Sequence, residues 1–244
     1  MNKFLFLSIF VFKLFGQFQE IKSIEEVLKF VEKGTLVIFD IDNTLAAPAT
    51  VLGSDQWFSG MVKEKIDEGF DLTHAINSSL PIYFLVQFNV DLELVESNSV
   101  KVLDEITEKG ANSMCLTARS LYLGERTLIQ LSKINLKMFP LTEAEKVLTL
   151  THTSLFKSGV LFSGLNDKGE TLIAYLDAIG VRPEKIIFVD DKYSNLKSVE
   201  LAIFNRQIPF VGLHYTYLQE KVDNYNPAEA DSQLEAFLRL HSRK

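Results

Sequence analysis

The chain has little that would cross-link it or draw it to a charged polymer. Cys115 is the one cysteine in 244 residues, so no disulfide can close within the chain and cysteine usage leaves the redox compartment open. It lies in an apolar run and reads as a small buried hydrophobe. Lysine and arginine number 25 against 32 aspartates and glutamates, a formal net charge of −7. A nucleic-acid backbone or an anionic membrane demands clustered positive charge. No nucleic-acid partner is therefore expected, although a local phosphate pocket remains compatible with this balance. His74, His152, His214 and His241 show no metal-ligand spacing. No repeat or low-complexity linker is visible. Beyond the first dozen residues no apolar run approaches the ~20 residues of a membrane-spanning helix. A composition of 47% hydrophobic and 23% charged residues is that of a globular protein, and the length suits one substantial core with a smaller appendage.

The beginning of the chain bears on location. Met1-Asn2-Lys3 precedes the apolar run Phe4 to Phe12, a short basic start and a greasy stretch too brief to span a bilayer. Residues 1–18 are expected to be an export signal, placing the protein in the periplasm or outside the cell with no transmembrane helix in the mature chain. Against this, Lys13 interrupts the run, and Leu14-Phe15-Gly16 offers no small-x-small cleavage site. The alternative is a core or interfacial helix on a cytoplasmic protein.

Periodicity alternates helices with nearly continuous apolar strands. Ser23-Ile24-Glu25-Glu26 has capping-box spacing before Val27, Leu28 and Val31, with Gly34 as a stop. Val100, Leu103 and Ile106 line one face of a helix over 99–109 that stops at Gly110; Leu121 to Lys133 reads as another. Gly169 to Ile179 repeats the scheme, with Leu172, Ile173 and Leu176 inward and Gly180 ending it. Ser194 is placed to cap a helix running to Phe204, and Ile208 to Leu213 reads as the last strand. The alternation predicts an α/β fold, a doubly wound parallel sheet covered on both faces. Residues 46–95 interrupt it, since strand-to-helix connections usually need only ~2–6 residues. This insert carries helical patterns at 56–68 and 72–85 and the aromatics Trp57, Phe58, Phe70, Tyr83, Phe84 and Phe88. The expected division is a core of 19–45 and 96–244 with a small helical cap at 46–95. The tail from Tyr217 reads as packing helices.

Four segments end or begin on polar groups suited to phosphate or a hard cation. Val37-Ile38-Phe39-Asp40-Ile41-Asp42-Asn43-Thr44 is a β-forming run that lifts two carboxylates to one side, because residues at i and i+2 of a strand share a face. Met114-Cys115-Leu116-Thr117-Ala118-Arg119 stops at a hydroxyl. Asn166-Asp167-Lys168 opens a helix with a lysine. Ile186-Ile187-Phe188-Val189-Asp190-Asp191 ends on two acids. Each has an ordinary reading alone: an acidic turn, a strand end, a solvated lysine, a helix cap. Carboxylates crowded at strand ends are costly unless something organises them, and ligands of open parallel sheets bind at those carboxyl ends.

In this order the four segments, spanning residues 37–195, resemble the haloacid dehalogenase (HAD) superfamily, mostly phosphatases with an aspartate nucleophile. The resemblance implies a Rossmann-like core with a cap after its first strand. It implies that Asp40 attacks phosphorus to form an aspartyl phosphate and that Asp42 is the acid and base. Thr117, with the backbone N–H near Ala118, would meet the phosphorylated substrate, and Lys168 would offset crowded charge. Mg2+ would be held by Asp40, the backbone carbonyl of Asp42 and Asp190, with Asp191 close by in a direct or water-mediated role. Apart from the resemblance, Arg119 is placed either to reach a second anionic group on the substrate or to form a surface ion pair. An aspartate at position 42 points within this superfamily to phosphate esters rather than to dehalogenation. The expected activity is hydrolysis of small phosphomonoesters; the alternative is a secreted HAD-fold binding or effector protein with weak or no turnover. Lys157 is a weaker competitor of Lys168, because no helix starts beside it.

Overall fold

The computed structural model describes residues 17–241, so the expected signal segment lies outside the described residues except for Gln17 and Phe18. Those two stand in strand β1 (Gln17–Ile21). The central sheet also contains β2 (Thr35–Phe39), β5 (Asn112–Thr117), β6 (Lys146–Thr149), β7 (Thr153–Lys157), β8 (Val160–Phe162), β9 (Lys185–Asp190) and β10 (Phe210–Tyr215); β3 (Ala46–Pro48) and β4 (Leu92–Leu94) form a separate two-stranded antiparallel ribbon. The order across the central sheet is β1-β10-β9-β2-β5-β8-β7-β6. It is parallel from β1 through β8, and β7 and β6 extend it antiparallel. Helices on both sides make this an α/β fold with a mostly parallel sheet, as the alternation of patterns predicts.

The apolar runs are continuous rather than alternating because both faces of the sheet are covered. On one face Val37, Phe39, Cys115, Ile187 and Val189 pack with Val102, Leu103 and Ile106 of α3 (Ser99–Glu108) and Leu131 of α4 (Gly124–Lys133). On the other, Leu36, Ile38, Met114, Leu116, Ile186 and Phe188 pack with Leu172 and Leu176 of α5 (Lys168–Ile179) and Leu196, Val199 and Ile203 of α6 (Tyr193–Phe204). Burying each such side chain contributes about 1.5–3 kcal/mol, so β2, β5 and β9 are the most strongly anchored strands. Their carboxyl ends carry the motifs.

Between β3 and β4 lie α1 (Asp55–Asp67) and α2 (Leu72–Gln87). Ser54 and Asp71 cap them, each side chain accepting a backbone N–H two or three residues into the helix. Trp57, Tyr83 and Val86 of this pair share a small core with Leu52, Leu123 and Ala230. Ala230 belongs to α8 (Pro227–His241), which follows the short α7 (Gln219–Asp223) and lays Leu234 and Phe237 against the same cluster. Gln233 Oε1 accepts the Leu52 N–H at 2.8 Å. The C-terminal helix thus clamps the inserted helices to the rest of the chain.

Two local expectations fail for tertiary reasons. Ser23 caps nothing: its hydroxyl donates to Glu96 Oε2 at 3.0 Å, Glu26 accepts the Lys22 N–H, and Ile24–Lys29 forms a 3-10 turn. Glu96, at the return from the inserted segment, also accepts from the Tyr215 hydroxyl at 2.6 Å and from the Ile24 N–H. Its pull exceeds that of a local cap. Ser194 lies inside α6 rather than before it, because Asp190 Oδ1 accepts the Lys192 N–H at 2.8 Å and the helix starts two residues earlier, with Lys192 at the cap position. Gly180 does end α5 as expected, in the left-handed region at φ 66°.

Candidate active site

Parallel pairing of β2 with β9 and β5 brings Asp40, Asp190 and Thr117 to one end of the sheet, where the N-terminus of α5 adds Lys168. Lys168 Nζ lies 3.0 Å from Asp40 Oδ1 and 2.8 Å from Asp190 Oδ2, and its side chain is 4% exposed. Gly169 makes this approach achievable: a Cβ there would strike the Ser198 carbonyl and stand 2.7 Å from Ala202 Cβ, so glycine lets α5 touch α6 closely enough to present the preceding lysine. Asn195 Nδ2 donates to Asp190 at 3.0 Å. Lys157, by contrast, pairs with Glu125 and Glu145 away from this cluster.

One carboxylate oxygen from each of Asp40, Asp190 and Asp191 falls within a 4.8 Å group. Asp191 Oδ1 is buried without a hydrogen-bond partner, while its Oδ2 accepts from Asn43 Nδ2 at 3.1 Å. An orphaned carboxylate oxygen next to two further acids is the donor chemistry of a hard divalent cation. Counting Asp42 and Asp55 as well, five carboxylates face the cations Lys168, Arg119 and Lys192, leaving the cluster two positive charges short. The residues present therefore fit Mg2+.

The same imbalance sets the protonation behaviour. Burial lifts Asp40 well above the usual carboxylate range; Lys168 opposes this, while Asp190, Asp191 and Asp42 add repulsion. Asp191 is pushed up to about 7 by burial and then by Asp190. Lys168 is raised because Asp190 and Asp40 outweigh its desolvation. Asp42 goes the other way: burial would raise it, but Arg119 holds it below its ordinary value. That pairing is bidentate, Nε to Oδ2 and Nη2 to Oδ1, both 2.8 Å. Of the two readings for Arg119, the structure shows an ion pair, buried rather than at the surface: its guanidinium lies on Asp42, with Nη1 donating to Gln130 Oε1 at 2.8 Å and to Thr127 Oγ1 at 3.3 Å, and the residue lines the cavity.

Thr117 is buried and lines the cavity beside Asp40, its hydroxyl oxygen accepting the Arg119 N–H at 3.1 Å; Ala118 lines it as well, and is exposed. Several contributors escaped sequence reasoning. Asn43, at φ 60°, bridges Asp191 to Gln56 of α1; an asparagine four residues after the end of β2 tolerates this conformation, and that is the available signal. Asp55 pairs with Lys192 at 2.8 Å across the mouth. Gln130 also donates to the Val90 carbonyl at 2.8 Å, joining Arg119 to the far end of α2. No local pattern marks these partners. A cavity of about 740 Å3 extends from Asp40 and Thr117 to the inserted helices.

The family model "Protein of unknown function (DUF2608)" matches residues 17–243. A putative outer membrane protein of Chlamydia pneumoniae is 26% identical over 85% of this chain and 80% of its own length. One of Chlamydia trachomatis serovar D is 27% identical over 87% and 82%, and the uncharacterized protein RP296 of Rickettsia prowazekii is 25% identical over 79% and 73%. Among solved structures, a putative phosphatase from Clostridium difficile superposes with a TM-score of 0.43 at 13% identity, over 78% of this chain and 99% of its own. A HAD family hydrolase from Salmonella enterica serovar Typhi gives 0.41 at 12%, over 77% and 70%.

Proposed function

The chain belongs to the DUF2608 family, and we propose that it is a Mg2+-dependent phosphatase of HAD type that hydrolyses small phosphomonoesters through an aspartyl phosphate. The observation that carries this reading is the convergence of Asp40, Lys168, Asp190 and Asp191 at the carboxyl end of one sheet, with Thr117 beside them at the foot of the cavity.

Asp40 attacks phosphorus as the bond to the alcohol oxygen breaks. The departing oxygen takes a proton from the Asp42 carboxyl. Water then attacks the acyl phosphate, gives its proton to Asp42, and leaves inorganic phosphate and a free Asp40 carboxylate. Lys168 offsets the charge that gathers around Asp40. Thr117 already accepts the Arg119 N–H, so its own hydroxyl hydrogen is available to a phosphoryl oxygen. Asp40, Asp190, Asp191 and the Asp42 carbonyl would hold the metal, which when bound would neutralise phosphoryl oxygens and fix them beside the nucleophile.

Release of phosphate from a panel of monoesters, by wild type and Asp40→Asn with and without Mg2+, tests the reading. Turnover is expected only in wild type with Mg2+; turnover surviving the substitution or chelation overturns it. One observation favours a binding or effector protein as the second reading: Arg119 keeps Asp42 ionised, which weakens it as an acid. Absence of turnover across the panel would favour that alternative. Names of the chlamydial relatives as putative outer membrane proteins support a place outside the cytoplasm, and no helix among the described residues is long and apolar enough to cross a membrane. N-terminal sequencing of the periplasmic or extracellular fraction tests export, and full-length protein confined to the cytosol refutes it.

A further inference from the structure

We propose that the substrate's alcohol part is uncharged and apolar, so that the enzyme acts on phosphomonoesters of hydrophobic alcohols in preference to sugar phosphates, phospho-amino acids or nucleotides with further phosphates. This rests on the phosphatase reading and fixes its substrate class.

Among the described residues, the lysines and arginine lining the cavity are Lys168, Arg119 and Lys192. Each already has a carboxylate: Lys168 has Asp40 and Asp190, Arg119 has Asp42 in a bidentate pair, and Lys192 has Asp55 at 2.8 Å. A second anionic group on a substrate could take over Lys168 or Arg119 only by breaking a buried pair and leaving a carboxylate unmatched, which is costly; the pair of Lys192, whose side chain is 45% exposed, is held less firmly. Beyond the groups that meet the transferring phosphoryl, no lysine or arginine among the described residues lines the cavity without a carboxylate partner; its other polar side chains include Ser59, Asn77, Thr151 and His152.

Phe58, Leu80, Tyr83 and Phe84 of the inserted helices face the cavity from one side, with Tyr122 and Leu165 of the core on the other. Tyr122 is 76% exposed and Leu165 56%. The Tyr122 ring lies 6.5 Å, centroid to centroid, from that of Phe84 across the opening. Large side chains left this open around a cavity leading to a nucleophile are surface that an apolar ligand would cover.

Acidity of the alcohol must be held constant to isolate this effect, so the test uses primary alcohols: ethyl, butyl, hexyl and benzyl phosphate, with glucose 6-phosphate and phosphoserine as polar comparators. Phosphate release gives kcat/KM with Mg2+ present. A fully buried methylene corresponds to about a fourfold gain, so even partial burial predicts a rise of at least about tenfold from ethyl to hexyl phosphate. Benzyl phosphate should match hexyl, and both polar comparators should fall at or below ethyl. Tyr122→Ser and Leu165→Ser should each lower the hexyl-to-ethyl ratio about threefold or more, a quantity that cancels the amount of folded enzyme. A flat or falling series, a polar comparator above hexyl phosphate, or a ratio unmoved by both substitutions overturns the proposal. No release from any ester in the set overturns the phosphatase reading itself, which distinguishes the two failures.

Discussion

Replacing Arg119 by methionine is the perturbation that most directly probes the organisation of this site. The guanidinium side chain is 2% exposed and its partner Asp42 15%, with two 2.8 Å contacts in parallel. Methionine approximates the stem but removes the charge, leaving Asp42 in a poorly solvated position and taking a donor from Gln130 and Thr127. Breaking a buried pair by removing one partner costs about 3–5 kcal/mol, against ~0–1 kcal/mol for exposed pairs. Arg206 and Asp177 are an internal control, also close at 2.6 Å but 45% and 54% exposed. Urea unfolding at pH 7 without metal should show Arg119→Met losing at least about 3 kcal/mol and Arg206→Met under about 1 kcal/mol. The sign with pH follows from Asp42. In wild type its folded value lies below the ordinary one, so its stabilisation is present above about pH 4 and is lost as pH falls through the folded value. In the variant, burial without Arg119 raises the folded value, so the folded state gains protons as pH is lowered toward about 4 and the gap to wild type narrows. A loss under 1 kcal/mol, or a gap unchanged between pH 7 and 4.5, would show that the pair is energetically idle and refute the reasoning.

Mg2+ should raise the wild-type unfolding temperature, since a ligand at 100 times its Kd adds about 2.7 kcal/mol; calorimetry should find that increment missing in Asp191→Ala, and an equal increment there would remove Asp191 from the ion's ligands. Gly169→Ala should cost about 1–3 kcal/mol in urea unfolding, because the new methyl group meets the Ser198 carbonyl and Ala202 on α6. The same substitution should lower kcat more than its stability loss accounts for, as α5 must shift with Lys168 at its first turn; a variant with wild-type kcat would show that the close helix approach is irrelevant to the lysine.

The strands that carry the site were legible because burial on both faces writes itself as an unbroken apolar run, as in Leu36 to Phe39 and Ile186 to Val189. The inserted helices were legible from their period, the observed limits falling within two residues of the patterns. What escaped depends on partners far along the chain. Arg119 meets Asp42 across 77 residues, and Glu96 draws Ser23 from a local cap across 73. The antiparallel extension through β7 and β6 was equally invisible, since strands this short, Lys146–Thr149 and Thr153–Lys157, show no marked alternation of apolar and polar residues. The tail could be read as helices, but its seat against Trp57 and Tyr83 is decided by shape in three dimensions.

The pairing that sequence could not reveal also sets a chemical problem for Asp42, because an aspartate held ionised by Arg119 must gain a proton before it can give one to a leaving alcohol. A phosphoryl dianion arriving beside it raises its proton affinity, yet the bidentate guanidinium opposes that gain, so the protonated fraction near neutral pH stays small. An alcohol that is a poor leaving group needs this proton; p-nitrophenol does not. Above about pH 7 both substrates are dianions, the second phosphate pKa being about 6, so the ratio of benzyl to p-nitrophenyl phosphate turnover isolates the demand for acid. That ratio should fall by up to about tenfold per pH unit as Asp42 loses its proton. In Asp42→Asn, which has no proton to lose, it should be low and independent of pH. A wild-type ratio that stays constant from pH 7 to 8.5 would mean that Asp42 is not the acid, whatever its part in the second step.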